Sequence, residues 1–206
     1  MTVVDTERTP DAQTDVQVDG RRRRRETNRQ AVVDALLAMY DAGVLEPNIG
    51  EVAEAAGLSA RSVFRYFDDI DDLVRAAIAH QQMRLAPLVP LEIDLATPLN
   101  ERVAAVVTHR VRLLEAMGNV GRVARRRGDA QPLVAAELTR MRGELRRQLA
   151  EAFAPELGGD DHRLAALDVL CSFEAHDLLM GDHGLDRQDV VEAMTAGVSA
   201  LVGARA

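Results

Sequence analysis

Apolar positions along the chain recur at intervals of three and four rather than alternating. Val33, Leu36, Leu37 and Tyr40 make one such stripe, which predicts a helix over Glu26–Ala42 closed by Gly43. Asn48 is a good N-cap for a short helix over Ile49–Ala56. Gly57 breaks that helix, and Ser59 caps another reaching Tyr66. Asp68 or Asp69 caps a longer one over Ile70–Leu85. Pro87 and Pro90 then predict a loop to about Ala96. Beyond it the pattern predicts helices over Pro98–Met117, Val120–Arg127, Pro132–Phe153, Arg163–Gly181 and Arg187–Gly203. Pro98 and Pro132 fall at first-turn positions, where a missing N–H does no harm. No segment alternates around β-branched residues, so the expected fold is all-α.

Composition narrows this picture. Aromatic residues make up 3% of the 206 residues and Trp is absent, so the core must be built from Leu, Val, Ala and Met. The net charge of −8 argues mildly against nucleic-acid binding, but phosphate contacts depend on a local patch. Every one of the 25 basic residues is Arg. Five of them, Arg21–Arg25, form an unbroken run. Residues 1–20 are polar and are expected to form a disordered tail. The basic run is expected to be an arm that either stays solvated or settles on a phosphate backbone or in a minor groove, through residues such as Arg24 and Arg25. The single cysteine, Cys171, permits no intrachain disulfide, which suits a reducing compartment. No apolar run is long enough to span a bilayer and no signal peptide is recognisable, so a cytoplasmic protein without a membrane partner is expected.

The segment Ile49–Phe67 carries the function. Two short helices joined by a tight turn can pack closely only if the first presents a small residue, and Ala53 does so. The turn needs a residue that tolerates positive φ, and Gly57 supplies it. Val52, Ala56, Leu58 and Val63 fill the angle between the helices. This is the logic of a helix-turn-helix, whose second helix enters the major groove. On that helix Arg61 and Arg65 are four apart and share a face. Arg can bond guanine O6 and N7 bidentately. Ser62 and Tyr66 lie on an adjacent face, suited to phosphate oxygens. Ser59, Ala60 and Ser62 are small enough to let the helix N-terminus approach the duplex.

Residues Val33 through Leu73 resemble the TetR family of bacterial repressors. The resemblance lies in the first helix, in Ile49-x-x-Val52-Ala53-x-x-Ala56-Gly57-Leu58-Ser59, in Val63-Phe64-Arg65-Tyr66-Phe67 and in Leu73. It implies an all-helical homodimer whose N-terminal helices bind a palindromic double-stranded DNA operator. It also implies a larger C-terminal domain that binds a small-molecule effector and releases DNA. The expected organisation is a tail over 1–20, a three-helix DNA-binding domain over 21–80, and a helical regulatory and dimerisation domain over 81–206. Two positions depart from the family. Ile70, within Asp68-Asp69-Ile70-Asp71-Asp72, stands where a phosphate-holding Lys is usual, and Phe64 stands where Tyr is frequent.

The last two helices are the expected dimer interface. Arg163–Gly181 is apolar on more than one side. The final helix carries Val190, Met194, Gly197 and Leu201, flanked by Ala193, Ala196 and Ala200. Two such helices from each subunit make a four-helix bundle. Candidate effector contacts on inward faces are Val103, Val107, Arg110, Leu114, Met117, Met141 and Phe173. Arg110 could orient a carboxylate, or snorkel or pair with an acid. His109 falls with Arg102, Ala105 and Arg112 on a face expected to be wet. No spacing among the His, Cys, Asp and Glu residues matches a metal site. No phosphate loop or nucleophile elbow is present, so neither a cofactor nor an enzymatic role is expected. The alternative from another class is a helical ligand-binding or partner-binding dimer with weak or lost DNA binding.

Overall fold

A computed structural model describes residues 12–203, with side chains from Gly20 onward, and these residues are helical without a strand. Helix α1 spans Ala12–Asp41. It starts earlier than Glu26, so the residues expected to form a tail are helical from Ala12, and Arg21–Arg25 lie on a helix rather than in a loose arm. The remainder of that expected tail, residues 1–11, lies outside the described residues. Helices α2 (Ile49–Ala55), α3 (Ala60–Val63) and α4 (Ile70–Leu85) follow. Each begins at a side-chain cap. Asn48 and Glu51 form a reciprocal capping box, Ser59 Oγ accepts from the Ser62 amide, and Asp69 accepts from the Asp72 amide.

Helix α5 spans Leu99–Gly128. The helix expected to stop at Met117 continues through a bend at Gly118, whose φ of 49° and ψ of −146° leave the helical region. There Asn119 Nδ2 donates to the Asp41 carbonyl at 2.5 Å, so the bend rests on the end of α1. Helix α6 (Pro132–Ala152) returns antiparallel to α5, and the short α7 (Ala154–Leu157) follows. The single helix expected over Arg163–Gly181 is divided. Helix α8 (Asp161–Leu170) stops at Cys171, and Ser172 caps the short α9 (Phe173–Asp177), which runs into one π-helical turn over Leu178–Asp182. Helix α10 (Arg187–Gly203) closes the chain.

Three apolar clusters hold these helices together. The first joins Leu36, Val52, Val63, Phe67 and Leu73 of the N-terminal helices with Val123 of α5 and Val134 of α6. The N-terminal helices therefore share a core with the rest of the chain instead of hanging from a linker. The second contains Val103, Val107, Phe153, Leu167, Val190 and Met194, and the third contains Leu113, Leu114, Leu145 and Phe173. On α10 the buried stripe is Val190, Met194, Val198 and Val202, so Val190 and Met194, expected at the dimer interface, belong instead to the core of the single chain. Gly197 lets α10 lie against α8, because a Cβ there would come within 2.7 Å of Leu170.

Arg102 departs from the expected wet face, on which Ala105 and Arg112 are exposed and His109 is half-buried. It is 4% exposed. Its guanidinium bonds both carboxylate oxygens of Glu156 and donates to the Ala152 and Thr97 carbonyls. This ion pair fastens the start of α5 to α7. Removing one partner of a buried pair strands the other, so Arg102→Ala should cost about 3 kcal/mol in urea unfolding; a loss under 1 kcal/mol would contradict this role.

His176 and His109 set a pH dependence. Burial pushes the pKa of each imidazole down from its usual value, and His176 Nε2 is buried without a partner. A folded-state pKa below the unfolded value means the unfolded chain binds more protons in between. Stability is then full above the unfolded histidine pKa of about 6.5 and falls as pH drops below it. The melting temperature should decline between pH 7.5 and 5.5, and decline less in His176→Phe. An equal decline in that variant would contradict the assignment.

Candidate nucleic-acid interface

The two short helices meet as their residues dictate. Ala53 is 2% exposed, and its carbonyl accepts the Leu58 amide at 2.9 Å across the turn. Gly57 takes φ of +67° with open space where a Cβ would stand. Only its backbone conformation, and no clash, calls for glycine. Val52, Val63 and Phe67 are buried beneath the turn. After Val63 the chain tightens, with the Tyr66 amide bonding the Val63 carbonyl and that of Phe67 bonding the same oxygen.

This frame leaves one face of α3 outward. Ser59, Ala60, Arg61 and Arg65 are exposed. The guanidinium groups of Arg61 and Arg65 have no ion-pair or hydrogen-bond partner among the described residues. Ser62 is half-buried, and its hydroxyl bonds that of Ser59 at 2.9 Å, so both hydroxyls serve the helix start. Tyr66 is also half-buried. Its hydroxyl oxygen accepts from Asn28 Nδ2 at 3.1 Å and keeps its own proton to donate. Phe64 is 56% exposed beside the two arginines. Standing where Tyr is frequent in the family, it exposes an apolar ring in place of a phenol.

Helix α1 adds charge to the same region. Arg29 stacks over Phe67 at 4.8 Å, and Asn28 reaches Tyr66. Arg25 is one turn before Arg29 and shares its face. Arg24 and Arg25 are exposed and unpaired among the described residues, about one turn along α1 from Asn28 and Arg29.

The acidic cluster is largely occupied. Asp69 caps α4, Asp72 accepts from the Asp68 amide and from Arg75, and Asp71 accepts from Gln131. Ile70 opens α4 and packs partly into the N-terminal core.

The residues expected to touch an effector lie elsewhere and divide into groups. Val103 and Val107 are in the second cluster; Leu114, Met117 and Phe173 are in the third, with Met141 packed against it. Arg110 is fully buried. Its Nη2 donates to the Leu145 carbonyl at 3.1 Å, while Nε and Nη1 are buried without partners. It neither snorkels to solvent nor pairs with an acid, and burial pushes its pKa down. Its neighbour Cys171 is a buried thiol with its pKa pushed up to about 11 by the same burial. A cavity of about 110 Å³ takes Met141 into its lining but none of the other six residues. Among the described residues no group of three or more His, Cys, Asp or Glu is placed to hold a metal, and no helix is long and apolar enough to cross a membrane.

Residues 38–77 match the family described as bacterial regulatory proteins, tetR family. The N-terminal module is that of the TetR family. Solved structures extend the likeness, in fold, to 85–87% of the chain. A tetR-family transcriptional regulator from Streptomyces coelicolor is 20% identical with a TM-score of 0.66, over 85% of this chain and 80% of that one. A TetR-family regulator from Mesorhizobium loti is 15% identical with a TM-score of 0.62, over 87% and 97%. A transcriptional regulator from a Rhodococcus species is 16% identical with a TM-score of 0.65, over 87% and 96%. No curated protein matches. The TetR resemblance seen in Ile49–Phe67 thus holds in both sequence and shape.

Because Gly57 meets nothing within 4 Å, Gly57→Ala tests the backbone alone. It should lower stability by about 1 kcal/mol, with Gly57→Asn milder. An unchanged melting temperature in Gly57→Ala would contradict the need for positive φ.

Proposed function

We propose that the chain is a sequence-specific DNA-binding transcriptional regulator. It acts as a repressor that reads a palindromic operator as a homodimer and releases it on binding a small molecule. Residues 21–80 form the DNA-binding domain and 81–206 the regulatory and dimerisation domain. Its role is binding rather than catalysis.

The observation that carries this reading is the clustering of unpaired arginines at the helix-turn-helix. In the C-terminal part, Arg102, Arg122, Arg125, Arg140, Arg142, Arg147 and Arg187 bond carboxylates of the chain, while Arg112 and Arg126 are exposed without one among the described residues. Arg24, Arg25, Arg61 and Arg65 are exposed with none. Unpaired guanidinium groups clustered around a helix-turn-helix are what a phosphate-rich, guanine-containing partner requires. Arg61 and Arg65 read base edges, and Phe64 meets a thymine methyl or sugar. Arg24, Arg25, Ser59, Ala60, Ser62 and Tyr66 position the backbone.

The dimer forms through α8 and α10. Their outward faces carry Ala165, Ala166, Val169, Ala193, Ala196 and Ala200, all exposed. Val169 is 69% exposed among these alanines, and together they make the apolar patch that a second copy covers. A two-fold axis there sets two recognition helices about 34 Å apart, one turn of DNA.

Selection from a random duplex pool at two salt concentrations tests the reading. The full chain should recover a palindrome. Arg61→Ala and Arg65→Ala should each cost about 1–3 kcal/mol of discrimination. Arg24→Ala with Arg25→Ala should weaken every sequence alike and flatten the salt dependence. Failure to enrich any palindrome, or selection unchanged by the Arg61 and Arg65 variants, would overturn it.

A further inference from the structure

Asn28 joins α1 to the end of the segment that reads DNA. It is half-buried, and its Nδ2 donates to the Tyr66 hydroxyl oxygen at 3.1 Å. One residue on, Arg29 stacks over the Phe67 ring at 4.8 Å. Phe67 is 2% exposed, so this turn of α1 is pressed against a fixed ring. The Tyr66 amide bonds the Val63 carbonyl at 2.8 Å, which holds the other side of the contact. Two adjacent residues of α1 thus meet two adjacent residues that follow α3.

The direction of the Asn28 bond decides what Tyr66 can do. A side-chain amide nitrogen only donates, and a phenol has one proton. With its oxygen engaged by Asn28, the hydroxyl cannot turn that proton onto the same nitrogen. No acceptor for it is present among the described residues, so the proton is free for an acceptor from outside. The neighbouring cations favour an anionic one. Arg29 adjoins Asn28 in sequence and Arg65 adjoins Tyr66, and neither is paired with a carboxylate among the described residues. Base edges are met by the N-terminal residues of a recognition helix. Tyr66 lies three residues past the end of α3, and tyrosine is among the side chains that bond phosphate oxygens.

We propose that Asn28 is a positioning residue for DNA binding: by donating to the Tyr66 oxygen it turns the phenolic proton toward a backbone phosphate. The proposal rests on the DNA-binding reading above and adds to it a residue of α1 that acts through Tyr66. A bond to phosphate carries no base information, so Asn28 strengthens the grip on every duplex without changing which sequence is chosen.

Fluorescence anisotropy of the full chain with a mixed-sequence duplex at low salt reads this contact, because phosphate bonds need no operator. Tyr66→Phe should weaken binding about tenfold, since it removes a hydrogen bond to a charged acceptor. Asn28→Ala should weaken binding about fivefold, and in the Tyr66→Phe background it should change nothing. A residue that only stabilised the fold would weaken both backgrounds alike. Asn28→Asp offers acceptors alone, so it should draw the phenolic proton inward and weaken binding more than Asn28→Ala. The chain has two tyrosines, and isotope labelling of their hydroxyl-bearing carbons gives two magnetic-resonance signals, assigned through Tyr40→Phe or Tyr66→Phe. Without DNA, Asn28→Asp should move the Tyr66 signal and leave that of Tyr40, whose hydroxyl receives Arg127. Adding duplex should move the Tyr66 signal of the parent chain. The proposal is overturned if Asn28→Ala binds duplex as tightly as the parent or more tightly, if it loses as much in both backgrounds, or if Asn28→Asp leaves the Tyr66 signal in place. If Tyr66→Phe does not fold, Asn28→Ala and the tyrosine signals still decide. A parent chain that binds no duplex sinks the DNA-binding reading and this proposal together; a parent that binds, with Asn28→Ala silent, sinks this proposal alone.

Discussion

Beside a shared apolar core, the Arg127 guanidinium ties the N-terminal helices to the rest of the molecule. At the end of α5, Arg127 donates to the Leu45 carbonyl at 2.7 Å and to the Tyr40 hydroxyl at 3.2 Å, and its Nε bonds Gln131 at 3.1 Å. Gln131, itself buried, passes the connection to Asp71 at the start of α4. The end of α1, the loop before α2, the first turn of α4 and the entry to α6 thus meet on one charged group. Hydrogen bonds to a charged donor contribute about 1.5–3 kcal/mol each, so these contacts are not interchangeable with surface ion pairs. The orientation of α2 and α3 toward a partner depends on them.

The same seam explains why the N-terminal module is not an independent bead. Val123 and Val134 belong to its core, and the Gly118 bend seats Asn119 on the Asp41 carbonyl. Helices α5 and α6 therefore contact α1 and α4 through closely packed side chains. The acids at Asp69, Asp71 and Asp72 belong to this architecture: they cap α4 and tie it to Gln131. Their cost is negative charge near a polyanion. The basic face of α1 lies beside α3 and offsets it.

What the sequence disclosed was local. Ala53, Gly57 and Ser59 announce the helix-turn-helix because each answers a need within a few residues. The break expected near Gly118 exists as a bend, since glycine marks the place but cannot say whether the helix resumes. The division of α8 from α9 at Cys171 and Ser172 was hidden, because the apolar pattern runs through both residues. Arg102 was misplaced on a wet face for lack of its partner, Glu156, which lies 54 residues away. The Arg127 seam was invisible for the same reason. Inward stripes such as Val103, Val107 and Leu114 correctly indicate burial, yet periodicity cannot distinguish a packed wall from an empty one. The cavity's lining from α1 and α4 emerges only once four helices are assembled.

Hydrogen–deuterium exchange of the full chain, with and without a DNA duplex recovered by selection, tests the central claim most directly. Amides protected by DNA should fall in residues 20–29 and 57–67, with smaller changes at the Arg127 seam and none on the outward faces of α8 and α10. Protection that spares 57–67, or that centres on α8 and α10, would contradict the account.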